Sequence, residues 1–227
     1  TTMTVPKHGA GDAECEDALA VRDSDDAITV AVADGATEGI FSRAWAHALV
    51  RAGVACDGST RLASAVGRAH AAFQTAIEPQ QAGLPWYAAQ KAEEGAFAAL
   101  LRIRVEAGGQ WHAEAVGDVT LLVVRDASLA MSWPMSDATA FDHRPALVSS
   151  LAFASAEAQE RSGAWSPGDT LLVATDALAA HLLRQPDAIA QLGTCARPEW
   201  EAFVADARRQ GMRNDDVALV RLALRAP

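Results

Sequence analysis

Alternation is clearest at Ala27-Ile28-Thr29-Val30-Ala31-Val32-Ala33-Asp34. Apolar side chains at every second position predict a strand. Ile28, Val30, Val32 and Asp34 share parity, so the spacing directs all four to one face. That apolar face ends in a carboxylate, and burying an unpaired Asp is costly. A strand-end Asp beside a glycine therefore points to a metal or a dense hydrogen-bond site. Gly35 allows a sharp turn and a close approach of the backbone to a ligand. Thr37 is the expected N-cap of the helix that follows. Taken alone, the stretch is better explained as an ordinary strand, turn and helix cap.

The pattern extends in both directions. A first strand is predicted from Asp17 to Val21, joined to the next by a charged turn from Arg22 to Asp26. Ile40, Phe41, Ala44, Trp45, Ala48, Leu49 and Ala52 form a 3.6-residue stripe. It predicts a helix from about Glu38 to Ala52, stopped by Gly53. A second stripe from Leu62 to Ile77 predicts a helix over 61–77, capped by Ser59 or Thr60 and ended by a loop from Pro79 to Pro85. Trp86 to Glu94 fits either a helical turn or the start of a strand. Leu101, Ile103 and Val105 alternate with Arg102 and Arg104, predicting a half-buried strand. Gly108-Gly109 turns it back through Trp111, Ala113 and Ala115. Thr120 to Arg125 and Leu129 to Trp133 extend the meander.

Pro134 to Ser150 is polar and irregular, a surface loop or flap carrying Asp137, Asp142, His143 and Arg144. Beyond it come an edge strand (Glu157 to Trp165), a buried strand (Thr170 to Thr175) and a short helix (Ala177 to Leu183). A helix opened by Pro198 and a last strand from Val217 to Leu222 close the chain. Two helical blocks among antiparallel-looking strands predict an α+β fold, a β-sandwich with helices packed outside it. With no repeat or linker, residues 1–227 are expected to form a single domain.

Composition narrows the partners. Nineteen basic against 29 acidic residues leave a net charge of −10 over 227 residues. That disfavours nucleic acid and anionic membrane as main partners. The three cysteines, Cys15, Cys56 and Cys195, are too scattered for a disulfide framework or a zinc site. With no apolar leader in Thr1 to His8 and no membrane-length apolar run, a reducing, cytoplasmic location is expected. Cys15 lies between Glu14 and Glu16, whose charge should raise its pKa, so it is not read as a nucleophile. His47 and His181 are expected on helix surfaces, and the six tryptophans in the core and in packing.

The chemistry concentrates in acids at predicted strand ends: Glu16-Asp17, Asp34, Asp118 after Gly117, Asp176 and Asp215-Asp216. In antiparallel strands the start of one lies beside the end of another, so these acids can gather at one edge. Clustered carboxylates repel unless cations sit between them. Oxygen donors without a His or Cys cluster suit Mg²⁺ or Mn²⁺. Two such ions can activate a water and clamp a phosphoryl group.

Glu16-Asp17-Ala18, Val32-Ala33-Asp34-Gly35, Gly117-Asp118, Ala174-Thr175-Asp176 and Asn214-Asp215-Asp216 occur in that order. In this the chain resembles the PPM-type, metal-dependent serine/threonine protein phosphatases (type 2C), nearest their compact bacterial branch. The resemblance implies an α/β/β/α sandwich and hydrolysis of phosphoserine or phosphothreonine in a protein substrate, the product of a serine/threonine kinase. It implies Asp34 as the acid shared by two Mn²⁺ or Mg²⁺ ions and the Gly35 carbonyl as a ligand of the second. Asp176 and Asp215 would complete the first. Glu16 or Asp17 would serve the second directly or through its waters. Asp118, with Asp176, matches a third, weaker metal position. Asp216 stands behind the ligands, where Asn is frequent. Asp34 and Asp17 are thus the acids expected at the catalytic centre.

Besides Asp216, and Ala177 in place of the usual Gly after Asp176, two departures from the family pattern bear on the chemistry. The phosphate-binding Arg expected four residues before Glu16 is Asp12, and Lys7, His8, Arg43 or Arg144 are candidates to replace it. The His that follows Asp-Gly in many members is Ala36. An alternative reading follows from the first departure: a catalytically weak or inactive module that binds a phosphoprotein or regulatory partner. A small-molecule phosphoester hydrolase on the same scaffold is a third.

Overall fold

Two antiparallel sheets lie face to face in the computed structural model, which describes residues 1–36, 39–56, 60–141, 145–151 and 157–225. The first sheet contains β1 (Thr2–Val5), β6 (Thr120–Arg125), β7 (Ser128–Trp133), β10 (Thr170–Ala174) and β11 (Val217–Ala223), in the order β1-β11-β10-β6-β7. The second has β2 (Ala18–Ser24), β3 (Ala27–Gly35), β4 (Phe97–Glu106), β5 (Gln110–Val116) and β9 (Gln159–Ala164) in chain order, with β8 (Val148–Ser149) paired to β4.

Three hydrophobic layers follow from side-chain parity. Val30 and Val32 of β3 and Ile103 of β4 meet Leu121, Val173 and Val220 between the sheets. The opposite parity, Ala31, Ala33 and Leu100, faces Trp45, Leu49 and Phe73 of α1 (Ser42–Ala55) and α2 (Leu62–Gln81). Leu122, Leu172 and Leu219 face α4 (Asp176–Arg184), α5 (Ala188–Thr194) and α6 (Arg197–Arg209). The expected order of helix, sheet, sheet and helix is the order found. Sheets covered on both faces need apolar residues at both parities, which is why β3 and β10 are almost wholly apolar.

Several boundaries differ from expectation. The N-terminal strand β1 carries too short a pattern to register, yet pairs with β11 from Thr2↔Val220 to Val5↔Val217. Strand β2 runs on through the predicted charged turn to Ser24, because Arg22 and Asp23 pair with β3. Gly53 does not stop α1 but lies inside it. A Cβ there would approach Ala31 to 3.0 Å, so the glycine lets the helix sit close on β3. Pro79 is held inside the last turns of α2 rather than opening a loop. The ambiguous stretch is helical, α3 (Trp86–Glu93), and α5 was not foreseen. Thr37, Glu38, Ser59, Asp142, His143 and Arg144, to which caps and loop roles were assigned, lie outside the described residues.

The predicted meander is two hairpins, not one. After β5 the chain crosses at Gly117-Asp118 from one sheet to the other and continues as β6. Gly117 has φ +95°, and a Cβ there would come within 2.5 Å of Ala99 Cβ. Alternation alone cannot distinguish a hairpin from such a crossing. Two side chains also depart from expectation. His181 is buried in α4 rather than on its surface, and Trp86 is 79% exposed.

Candidate active site

The strand ends bring the acids together as antiparallel pairing requires. Asp17 precedes Ala18, which pairs with Ala33, so Asp17 lies next to the end of β3 that carries Asp34. Thr120, two residues after Asp118, pairs with Ala174, two residues before Asp176. Ala174 pairs in turn with Leu219, just beyond Asp215-Asp216. One end of both sheets therefore collects the acids of the strand ends, Asp17, Asp34, Asp118, Asp176, Asp215 and Asp216.

The acids also act on one another electrostatically. Burial raises the Asp34 pKa well above the ordinary carboxylate value, and Asp17, Asp176, Asp118 and Asp215 raise it further. Asp17 is raised in the same way by burial and by Asp216, Asp176 and Asp215, against a hydrogen bond from Thr175. Asp176 is raised by burial, with Arg213 opposing. These are carboxylates held together at a cost in free energy. Asp17 Oδ2 and Asp176 Oδ1 are buried with no hydrogen-bond partner.

The surrounding backbone is fixed by specific contacts. Asp216 accepts hydrogen bonds from the backbone N–H groups of Lys7 and Glu16, both 2.8 Å. It thereby ties the segments before β2 and after β1 to the start of β11. Thr175 accepts from the Ala218 N–H at 2.9 Å, locking β10 to β11 beside Asp176. Ser42 Oγ donates to the carbonyls of Ala36 and Gly39, holding the turn after Asp34-Gly35. A Cβ on Gly35 would lie 2.8 Å from the Glu16 carbonyl, so only glycine allows β3 to end against this segment.

Cys15, next to Glu16, is buried, and its thiol is pushed up to about 12 by burial and by Asp17 and Asp216. A thiolate nucleophile is excluded in that setting. Arg213, in the turn before Asp215, was not singled out from the sequence. Its guanidinium donates to Asp176 Oδ2 and lies 2.8 Å from Asp215 Oδ2. An arginine two residues before an acid pair was the only signal available, and such spacing is common. Of the candidates for the missing phosphate-binding Arg, Lys7 reaches the acids, with Nζ 3.9 Å from Glu16 Oε2. His8 approaches through its backbone, which donates to Asn214 Oδ1 at 2.7 Å. Arg43 acts on Cys15 only through its charge.

The family model for protein phosphatase 2C matches residues 6–215, from the segment after β1 to the acid pair before β11. The chain belongs to the protein phosphatase 2C family. Among solved structures, it is similar to the catalytic domain of the serine/threonine protein phosphatase PstP in complex with two manganese ions. Identity is 17% and the TM-score 0.63, over 99% of this chain and 98% of that one. A serine/threonine phosphatase of S. agalactiae matches with TM-score 0.68 at 12% identity, over 99% and 98% of the two chains. RsbX in complex with magnesium matches with TM-score 0.60 at 17% identity, over 97% and 92%. These likenesses show the fold. No curated protein sequence matches the chain significantly. Among the described residues no helix is long and apolar enough to cross a membrane.

The donor set of this phosphatase 2C chain fits hard divalent ions. It is all oxygen, multiply anionic, and contains buried carboxylate oxygens without hydrogen bonds. As the side chains stand, among the described residues no three His, Cys, Asp or Glu form a cage for a metal ion. The cation between Asp176 and Asp215 is the Arg213 guanidinium.

Proposed function

We propose that this phosphatase 2C chain hydrolyses phosphoserine or phosphothreonine in a protein substrate, using Mn²⁺ or Mg²⁺ held by the acids of the sheet edge. The observation that carries the proposal is the gathering of Asp17, Asp34, Asp176 and Asp215 at one end of the paired strands, with Asp17 Oδ2 and Asp176 Oδ1 buried and without a hydrogen-bond partner. Asp176, Asp215 and Asp34 would hold one ion. Asp34, the Gly35 carbonyl and Glu16 or Asp17 would hold the second, with Asp118 and Asp176 at a third, weaker position. Bound ions supply a water of lowered pKa and neutralise charge on the phosphoryl group.

The chain's own groups do the rest. Asp34 would hold the ions and orient the attacking water. Thr175 keeps Asp17 oriented. Lys7, at the rim beside Glu16, is the residue proposed to meet the phosphate in place of the absent Arg. Ala36 offers no proton donor, so water protonates the leaving seryl or threonyl oxygen. One domain, cytoplasmic, with a phosphoprotein as partner, is the setting this reading implies.

Mn²⁺-dependent release of phosphate from a phosphopeptide, lost in D34N, tests the reading. Metal binding and tight phosphopeptide binding without turnover would favour the binding-module alternative, which the missing Arg at position 12 motivates. Turnover of free phosphoesters but not of phosphopeptides would favour a small-molecule hydrolase.

A further inference from the structure

Arg213 occupies an unusual position for a surface arginine. It follows Gly211, whose φ is +96°, and Met212, which is buried and donates its N–H to the Ala207 carbonyl at 2.9 Å. On the other side, Arg208 donates to the carbonyls of Pro6 (2.9 Å) and Asp215 (2.7 Å). The backbone of this turn is therefore anchored at both ends. The Arg213 side chain is 45% exposed, while its partner Asp176 is 11% exposed. A fixed backbone with a half-exposed side chain gives the guanidinium a tether and a way out.

Its contacts are those a cation at the first metal position would make. It engages Asp176 Oδ2 and Asp215 Oδ2 together, and the charge of Asp34 also acts on it. The other nearby basic groups are committed elsewhere. Arg208 binds backbone carbonyls, and Lys7 lies beside Glu16. The guanidinium takes Asp176 Oδ2 and Asp215 Oδ2, and a divalent ion bound between the two acids through those oxygens would compete with it.

We infer that Arg213 is a tethered counter-cation that fills the position between Asp176 and Asp215 in the metal-free chain and must leave it for a divalent ion to enter. The inference rests on the metal reading given above. Arg213 then sets the metal affinity of the site, because apparent affinity falls by the fraction of molecules in which the position is open. It also shields Asp176 and Asp215 from each other when no metal is bound. The chain thus tolerates metal loss without exposing the full repulsion of its acids, and needs a higher metal concentration to fill the position.

Calorimetric titration with Mn²⁺ alone, on the full chain, tests this. R213A should tighten the first Mn²⁺ dissociation constant by about tenfold or more. The same variant in a chelator should melt at a lower temperature than the parent chain. A purely structural arginine predicts the reverse for metal, since loosening the turn would weaken binding. R213Q loses the charge but keeps a polar stem, carries the same expectation, and serves if R213A does not fold. R213K keeps a cation and should stay near the parent affinity. Unchanged or weaker Mn²⁺ binding in folded R213A and R213Q would overturn the inference and leave the metal reading standing. No Mn²⁺ binding by the parent chain or by either variant would overturn the metal reading, and this inference with it.

Discussion

Two sets of buried carboxylates lie on the same pair of sheets and behave in opposite ways. On the side of β4 and β5 that faces α2, Glu114 is paired with Arg102 and also accepts the Leu62 N–H at 2.8 Å. At the first sheet's edge, Asp169 receives both arms of Arg125, at 2.9 and 2.7 Å, and the Ser166 N–H at 2.9 Å. The Arg125 hydrogen bonds hold the Asp169 carboxyl below its ordinary value. Each of these acids arrives with its own cation and backbone donors. At the other end of the strands, Asp17, Asp34 and Asp176 arrive together, and their pKa values are driven up. Structural acids in this protein are balanced from within. At the candidate site, Asp176 and Asp215 instead share one cation, Arg213.

The sharpest way to break this contrast is to neutralise one acid of each kind. D34N should lower Mn²⁺-dependent phosphopeptide hydrolysis by roughly 10³-fold, measured as released phosphate. The metal-free D34N chain should melt no lower than the parent, because the substitution removes a buried charge that was costing stability. E114A should behave oppositely. Hydrolysis per folded molecule should persist, while stability falls by about 3–5 kcal/mol in denaturant titration, since Arg102 is left buried without its partner. If D34N destabilised the metal-free chain as much as E114A, the distinction between the two sets would fail.

Metal addition sharpens the comparison from the other side. Mn²⁺ at a hundredfold excess over its dissociation constant should stabilise the chain by about 2.7 kcal/mol, measured by denaturation with and without chelator. The increment should vanish in D34N and persist in R125A.

The smallest expected effect is in the pH profile of the metal-free chain. Asp17, Asp34 and Asp176 have raised pKa values in the folded state. The folded chain therefore holds protons that the unfolded chain has lost, and stability should rise as pH falls from neutral toward the ordinary carboxylate range. Asp169 has a lowered value. Its contribution is present above the ordinary carboxylate pKa and is lost as pH falls through its own. Thermal melts from pH 8 to pH 3 should therefore show a maximum on the acid side of neutral. D34N should flatten the neutral limb, and R125A the acid limb.

Much of the candidate site was legible because each acid stands at a break in an alternating pattern, and antiparallel pairing turns such breaks into one edge. Asp17, Asp34, Asp118, Asp176 and Asp215 could be named that way and are together in the fold. Arg102 and His181 could not be placed, because a strand or helix covered on both sides buries positions that a one-sided pattern leaves to solvent. Arg213 was missed for a different reason. Its partners, Asp176 and Asp215, come from two chain segments, and no local pattern links an arginine to an acid 37 residues away.

The sequence by itself determined the period of each element, the apolar faces, the acids at the strand ends and the glycines that let the backbone close on them. Those are local properties, set by side-chain parity and by what a Cβ would meet. Tertiary structure decided which strands share a sheet, where the chain crosses at Gly117-Asp118, and which acids have a cation of their own. These depend on contacts between residues distant in the chain. Whether a carboxylate meets a cation or other carboxylates is decided by what the rest of the molecule places beside it, as Asp169 with Arg125 and Asp34 with Asp17 and Asp176 show.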